Sequence, residues 1–485
     1  VPGAGKTAVQ LACFEAERAA GRIERMLVVA PISAFSAWTE EAVACLDPAP
    51  TIAILAGSGI SSGAEIVLVN YQRLLYAYEA AARWVQEVPT LVCLDEAHRI
   101  KRGRSGEWGS TCLDLAYLAA RRDVLTGTPA PQSPADLGVL LDFLWLGQGH
   151  RVLPAGTWER EPPPDIGHQI ASAAGPLFVR TTKSELGLPP VDFEVIEVVP
   201  DQLQREVYDA LRNRYGRDRR ISRAQRARFA HMGTVVMYLL EAATNPGLLT
   251  AGSSRDDPTY FRHPPLPLGS DSALADLLAG YGSHETPSKF LALVELLQSN
   301  REAGRKTLVW SNFVRNLEAL RSLLKVFSPA VVHGGIPSLA SGTEAEYTRE
   351  GELERFRRDP DCWVLLANPA ALGEGVSLHT ACHDAVYLER TFNAGQYLQS
   401  LDRIHRLGLG PEVTTRVTFL ITPETIDAVV ADRVGEKSVL MGEMLDDPDI
   451  LTLALPDEED IGAPFDVADR ADVAALFAHL RPADE

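Results

Sequence analysis

No apolar run in these 485 residues approaches the roughly 18 that a membrane-spanning helix needs. A soluble, cytoplasmic chain with no membrane partner is therefore expected. Cysteine is scarce as well. Cys13, Cys45, Cys93, Cys112, Cys362 and Cys382 are scattered, with no Cys-x-x-Cys pair, which argues against a zinc site and for reduced thiols. An initiating Met is missing. The chain opens at Val1-Pro2-Gly3, inside a motif whose feeding strand is absent, as in an N-terminally incomplete chain, so no targeting peptide can be read.

Basic charge is in deficit overall, with a net charge of −19, but the deficit is uneven. Residues 443–485 hold 13 acidic and 2 basic residues, which places −11 of it in the tail. Residues 205–231 hold 9 Arg against 3 acidic residues. The bulk charge therefore does not exclude nucleic acid, because local charge decides that contact. The length is too great for one core, and the usual prior gives roughly three domains.

What is present begins with Gly3-Ala4-Gly5-Lys6-Thr7, the end of a phosphate-binding loop. Glycine lets backbone N–H groups close on phosphate oxygens, Lys6 reaches the β- and γ-phosphates, and the Thr7 hydroxyl ligates Mg²⁺. The helix expected from Ala8 to Ala20 adds its N-terminal dipole. A Gly-rich turn before a helix is the plain alternative for so short a pattern.

Short apolar runs follow at 27–31, 66–71, 91–95 and 123–129, alternating with helical stretches. One of these, 33–44, buries Trp38. This alternation predicts a parallel RecA-like α/β lobe. Asp95-Glu96-Ala97-His98 ends the apolar run 91–94, at the strand end where parallel sheets place ligands. Asp95 suits Mg²⁺, and Glu96 suits orienting or deprotonating a water. The basic loop 99–104 reads either as a phosphate contact or as a solvated turn. Residues 129–190 are Pro-rich and irregular, and the alternating run 193–198 closes this lobe.

The stretch 201–250 reads as helical, with Tyr208, Leu211 and Tyr215 on one face and arginines around them. Residues 251–285, rich in Pro, Gly, Ser and Asp, read as a mobile linker or insert. A second α/β pattern has strands at 307–311, 330–333, 363–367, 385–388 and 413–421 and no phosphate loop of its own. Gly373 and Gly375 permit close backbone approach to a ligand. Arg403 and Arg406 lie three apart on one helix face, a spacing that suits two guanidiniums reaching a γ-phosphate. His98 and His405 read as hydrogen-bonded structural residues. The acidic tail, with a short helix expected over 467–480, reads as solvated or partner-binding.

Taken together, these motifs resemble the Swi/Snf-type ATPases of helicase superfamily 2. The resemblance rests on Gly5-Lys6-Thr7, Leu27 to Trp38, Val69-Asn70-Tyr71-Gln72 and the DEAH sequence at 95–98 followed by Arg99-Ile100-Lys101. It continues through Leu125-Thr126-Gly127-Thr128-Pro129, Leu308 to Phe313, His333-Gly334-Gly335, Leu372 to Leu378 and Gln399 to Gly408. It covers roughly residues 1 to 425. Ala130-Pro131-Gln132-Ser133 departs from the remodeller pattern and is closer to compact bacterial and phage members.

The resemblance implies two RecA-like parallel-sheet lobes, 1–199 and 286–435, a helical insert and linker over 200–285, and an acidic tail over 436–485. It implies a DNA-stimulated ATP hydrolase with ATP and Mg²⁺ as cofactors. Glu96, Asp95, Arg403 and Arg406 are its catalytic set, and Gly3, Gly5, Lys6, Thr7, Gly373, Gly375 and Gln399 bind the nucleotide. Thr7 and Asp95 hold the metal. Ser33, Asn70, Lys101, Ser311 and His333 contact DNA phosphates. The implied action is translocation on double-stranded DNA. A strand-separating DNA or RNA helicase, the motor of a bacterial defence or restriction complex docked through the acidic tail, and a non-catalytic binding module remain as alternatives.

Overall fold

The computed structural model describes residues 5–55, 59–61, 63–127, 134–159, 163–179, 185, 187–217, 226–258, 261–269, 272–337, 347–372, 376, 378–390, 400–401, 403–405, 408–410, 412–433, 475–476 and 478–480. The chain divides into two compact units, parting at Gly187 and Leu188.

The first unit alternates helix and strand. α1 (Lys6–Ala19), β1 (Arg25–Val29), α2 (Phe35–Cys45), β2 (Ile52–Ile54), β3 (Ile66–Val69), α3 (Tyr71–Glu87), β4 (Thr90–Asp95), α4 (Glu107–Ala116) and β5 (Arg121–Leu125) follow one another. All neighbouring strands pair in parallel, in the order β2-β3-β1-β4-β5. Side chains alternate faces along a strand, so each apolar run serves two cores. Leu27, Val29, Val67, Val69, Val92 and Leu94 meet Leu74 and Trp84 of α3 and Trp108 of α4. Met26, Val28, Ile66, Leu68, Leu91 and Cys93 meet Leu11 and Phe14 of α1 and Trp38 of α2. Each fully buried Val, Leu or Ile contributes roughly 1.5–3 kcal/mol before entropy is counted.

The stretch 129–190 is less irregular than its prolines suggest. α5 (Ala135–Leu144), α6 (Gly149–Val152) and α7 (Ile166–Ala174) lie within it. Leu137 and Leu141, and Ile166 and Ile170, are spaced by four and share one small core.

β6 (Val191–Glu197) corrects the expected end of the first lobe at 199. It pairs in parallel with a late strand of the second sheet, Val191 to Glu197 against Thr415 to Ile421. The second unit continues with α8 (Gln202–Arg217), α9 (Arg226–Thr244), α10 (Ser272–His284), α11 (Ser288–Glu302), β7 (Thr307–Trp310), α12 (Val314–Leu323), β8 (Ala330–Val332), α13 (Arg349–Arg358), β9 (Val364–Ala367), β10 (Asp384–Tyr387) and β11 (Thr415–Ile421). Its parallel sheet runs β6-β11-β10-β7-β9-β8. Both sheets are thus parallel and helix-covered, as expected of RecA-like lobes.

Residues 251–285 are not a loose linker where they are described. Asp257, Phe261, His263 and Leu266 are buried. The Asp257 carboxylate accepts from Val314 N at 2.8 Å and from Ser254 N at 2.6 Å, which fixes the strap to the start of α12. His263 Nε2 lies 3.3 Å from Glu241 Oε1 of α9. As expected, Tyr208, Leu211 and Tyr215 of α8 are buried. The tail is not wholly solvated. Leu476 and Leu480 are buried, and His479 Nε2 meets the Tyr208 hydroxyl at 2.7 Å while Arg212 Nε donates to its carbonyl at 2.9 Å. Among the described residues no helix is long and apolar enough to cross a membrane.

Candidate functional site

In the first unit the chemistry gathers at the carboxyl ends of the strands. Gly5 caps α1 with φ 73° and ψ 25°, a left-handed conformation open to glycine at no steric cost. That turn starts α1 at Lys6 and Thr7, beside the positive end of the helix. Gly3 lies outside the described residues.

Asp95 ends β4 and is 7% exposed. Its Oδ2 accepts from the Trp38 indole Nε1 at 2.9 Å, and its Oδ1 accepts from the Glu96 backbone N at 3.0 Å. The Tyr71 hydroxyl donates to its backbone carbonyl at 2.7 Å. Burial pushes the Asp95 carboxyl up to about 6, the neighbouring Glu96 charge adds to this, and the Trp38 bond and the Lys6 ammonium oppose it. Lys6 and Trp38, from separate helices, therefore act on one carboxylate, and Tyr71 from a third helix holds its backbone.

Glu96 departs from the strand with φ 52° and ψ 50°, a conformation that costs an L-residue energy and clusters at functional sites. It turns the chain so that the Glu96 side chain is 20% exposed beside the 1% exposed His98. His98 Nδ1 lies 3.5 Å from Glu96 Oε2 and 3.2 Å from the Thr126 hydroxyl, just past β5. The expectation of a structural His98 fits this placement.

Two adjacent carboxylates, one buried with its proton held up, form a pocket of negative charge that a divalent cation relieves. Mg²⁺ takes one or two carboxylates and completes its shell with water and phosphate oxygens. Asp95 and Glu96 offer the carboxylates such an ion takes. Among the described residues no cluster of three or more His, Cys, Asp or Glu suits a wholly protein-held metal.

In the second unit the strand ends carry a different network. Glu389 follows β10 and is 3% exposed. Its Oε1 accepts from the Ser311 hydroxyl at 2.7 Å and from Asn312 N at 2.5 Å. Burial pushes its carboxyl up to about 7 against those bonds and the Lys289 charge. Lys289, fully buried, donates to Asp427 Oδ2 and to the Leu388 carbonyl, each at 2.5 Å. Arg403 is 8% exposed. Its Nη1 lies 3.5 Å from the Val376 carbonyl, and its own carbonyl accepts from Leu378 N at 2.8 Å. His405 Nε2 meets the Pro189 carbonyl at 2.7 Å.

Comparison with known proteins bears on both units. The SNF2-related domain matches residues 2–247, and the helicase conserved C-terminal domain matches residues 288–408. The chain belongs to the SNF2-related family. It is 25% identical to chromodomain-helicase-DNA-binding protein 8 of Danio rerio, over 90% of this chain and 17% of that one. It is 24% identical to the DNA excision repair protein ERCC-6-like of Bos taurus, over 92% of this chain and 39% of that one. It is 22% identical to the transcription regulatory protein SNF2 of Saccharomyces cerevisiae, over 86% of this chain and 24% of that one. The chain thus spans well under half the length of these curated relatives. A solved structure titled Sulfolobus solfataricus SWI2/SNF2 ATPase core in complex with dsDNA aligns at TM-score 0.38 and 19% identity, over 92% of this chain and 88% of that one.

Within this SNF2-related chain, Gly5, Lys6, Thr7, Asp95 and Glu96 all stand in the first unit. Arg403 stands in the second. Arg406, Gly373, Gly375 and Gln399 lie outside the described residues, as does the side chain of Ser33.

The residues expected at DNA phosphates are largely buried where they are described. Asn70 Oδ1 accepts from Arg73 N at 2.5 Å and caps α3. Ser311 is fully buried and its hydroxyl is committed to Glu389. His333 is 6% exposed, with Nε2 at 2.8 Å from Glu318 and Nδ1 accepting from Gly335 N at 3.1 Å. Lys101 is 7% exposed. Asn70, Ser311 and His333 thus each hold a hydrogen bond just past a strand end. The Trp38, Tyr71, Thr126 and Glu389 contacts were not foreseen. A polar ring or hydroxyl inside an apolar run is the one signal that marks such residues, because a buried N–H or O–H needs a partner.

Proposed function

We propose that this chain hydrolyses ATP and couples the reaction to movement along double-stranded DNA without separating the strands. The observation that carries the reading is the convergence of Lys6 and Trp38 on Asp95, with Glu96 turned out beside it.

In this reading Gly5 and the start of α1 cradle the phosphates, and Lys6 neutralises them. Asp95 and the Thr7 hydroxyl would hold Mg²⁺, which would supply positive charge to offset that of the phosphates. Glu96 orients a water toward the γ-phosphorus and accepts its proton, and His98 keeps the Glu96 carboxylate in place. The family resemblance gives Arg403 and Arg406 the role of stabilising the charge of the γ-phosphoryl group as it passes from ADP to water.

Duplex DNA as the track is supported by family membership. Triplex displacement separates the two leading readings. A translocase displaces a third strand from a duplex in the presence of ATP and leaves a forked duplex paired. Unwinding of the fork would establish the strand-separating helicase instead.

A further inference from the structure

The second unit carries a cleft that none of the strand-end motifs includes. It encloses about 390 Å³ between α12, the turn after it, and α13. Glu318, Arg321 and Ser322 line one side from one face of α12, at spacings of three and four, and Lys325 lines it from the turn after the helix. Ser328 and Arg355 line the other.

Its charges are not balanced. Glu318 is engaged with His333 at 2.8 Å. Arg355 is fixed by Glu352 at 3.0 Å and by the carbonyls of Ser328 at 3.1 Å and Pro329 at 2.7 Å. Arg321 rests on the Tyr347 ring, 5.4 Å from its centroid. Neither Arg321 nor Lys325 meets a carboxylate among the described residues. Arg321 and Lys325 thus face one concavity against the single carboxylate of Glu318, with the Ser322 and Ser328 hydroxyls beside them. The lining has no aromatic floor on which a base could stack. Cations and hydroxyls without such a floor suit phosphate oxygens and not a nucleoside.

The position matters as much as the charge. Ser328 and Pro329 lead into β8, the edge strand of the sheet, whereas His333 follows it. The cleft reaches both ends of β8, because Glu318 in its lining meets His333 at 2.8 Å while Ser328 and Pro329 line it at the other end.

We propose that this cleft is a contact for the phosphodiester backbone of duplex DNA, with Arg321 and Lys325 neutralising one phosphate each. The proposal rests on DNA being the track. The test is the affinity of the chain for a fluorescent duplex as a function of KCl concentration, for wild type, Arg321→Gln/Lys325→Gln and Arg321→Lys. The two lost neutralisations should flatten the slope of log affinity against log salt by roughly 1.8, with weaker binding at low salt. Arg321→Lys should keep the slope. Both side chains are exposed, so unfolding midpoints should match wild type. A double variant that is folded and shows the wild-type slope would overturn the cleft and leave the motor reading standing. A wild type that binds no duplex at any salt would overturn both.

Discussion

The Trp38 indole N–H is bonded to the Asp95 carboxylate across 2.9 Å and 57 residues of sequence. This bond ties the helix after β1 to the end of β4. It also favours the ionised carboxylate where burial opposes it.

Trp38→Phe keeps the apolar ring and removes the donor. With that bond gone, Asp95 should hold its proton to higher pH than about 6. The acid limb of the ATPase pH profile should therefore move upward, with a stability loss of about 1.5–3 kcal/mol for a hydrogen bond to a charged group. An unmoved acid limb would remove Trp38 from any role in setting the ionisation of Asp95.

Asp95 also links pH to stability. Its folded pKa of about 6 lies above the ordinary 3.8. Such a carboxyl favours the folded state while protonated, and that contribution is lost as pH rises through about 6. At neutral pH the ionised Asp95 beside Glu96 thus weakens the nucleotide-free fold. Asp95→Asn should raise the unfolding midpoint by a few degrees near neutral pH, give no gain below the ordinary carboxyl range, and abolish turnover. Calorimetry across pH checks the first two, and an ATPase assay checks the third.

Glu96→Gln retains the shape of the side chain and loses the base. General-base removal typically costs a factor of roughly 10² to 10⁴. Binding of a fluorescent ATP analogue should stay within a few-fold of wild type while turnover falls by that factor. Normal turnover would take the base role from Glu96.

Ser311 separates a positioning role from a phosphate contact. Its hydroxyl donates to the buried Glu389. Ser311→Ala should cost about 1 kcal/mol of stability and leave the salt dependence of duplex binding unchanged. A flatter salt slope would restore Ser311 as a direct phosphate contact.

Much of the fold was legible because buried parallel strands read as short apolar runs. The runs at 27–31, 66–71 and 91–95 became β1, β3 and β4, offset by a few residues, and the late runs became β7 to β11. β2 escaped notice because Ile52–Ile54 is three residues at the sheet edge. The sheet that β6 joins could not be read from residues 193–198. Alternation reports a strand and its faces, and the choice of neighbour depends on pairing with β11, more than 200 residues later. Residues 251–285 misled by composition. Asp257 and His263 look like loop residues, yet one is bonded at the start of α12 and the other meets Glu241.

In the site, glycine, lysine and paired acids at strand ends carried the reading, because phosphate and metal chemistry need those groups at fixed spacing. Burial carried no such sequence signal. Ser311 and His333 were expected at a DNA surface and stand inside hydrogen-bond networks.

The most direct test of the motor reading is steady-state ATP hydrolysis by this chain and by Lys6→Ala, with no nucleic acid, single-stranded DNA, double-stranded DNA and RNA. The account predicts turnover that double-stranded DNA stimulates well above the other three conditions and that Lys6→Ala abolishes. Hydrolysis indifferent to duplex DNA, or unchanged by Lys6→Ala, would contradict it.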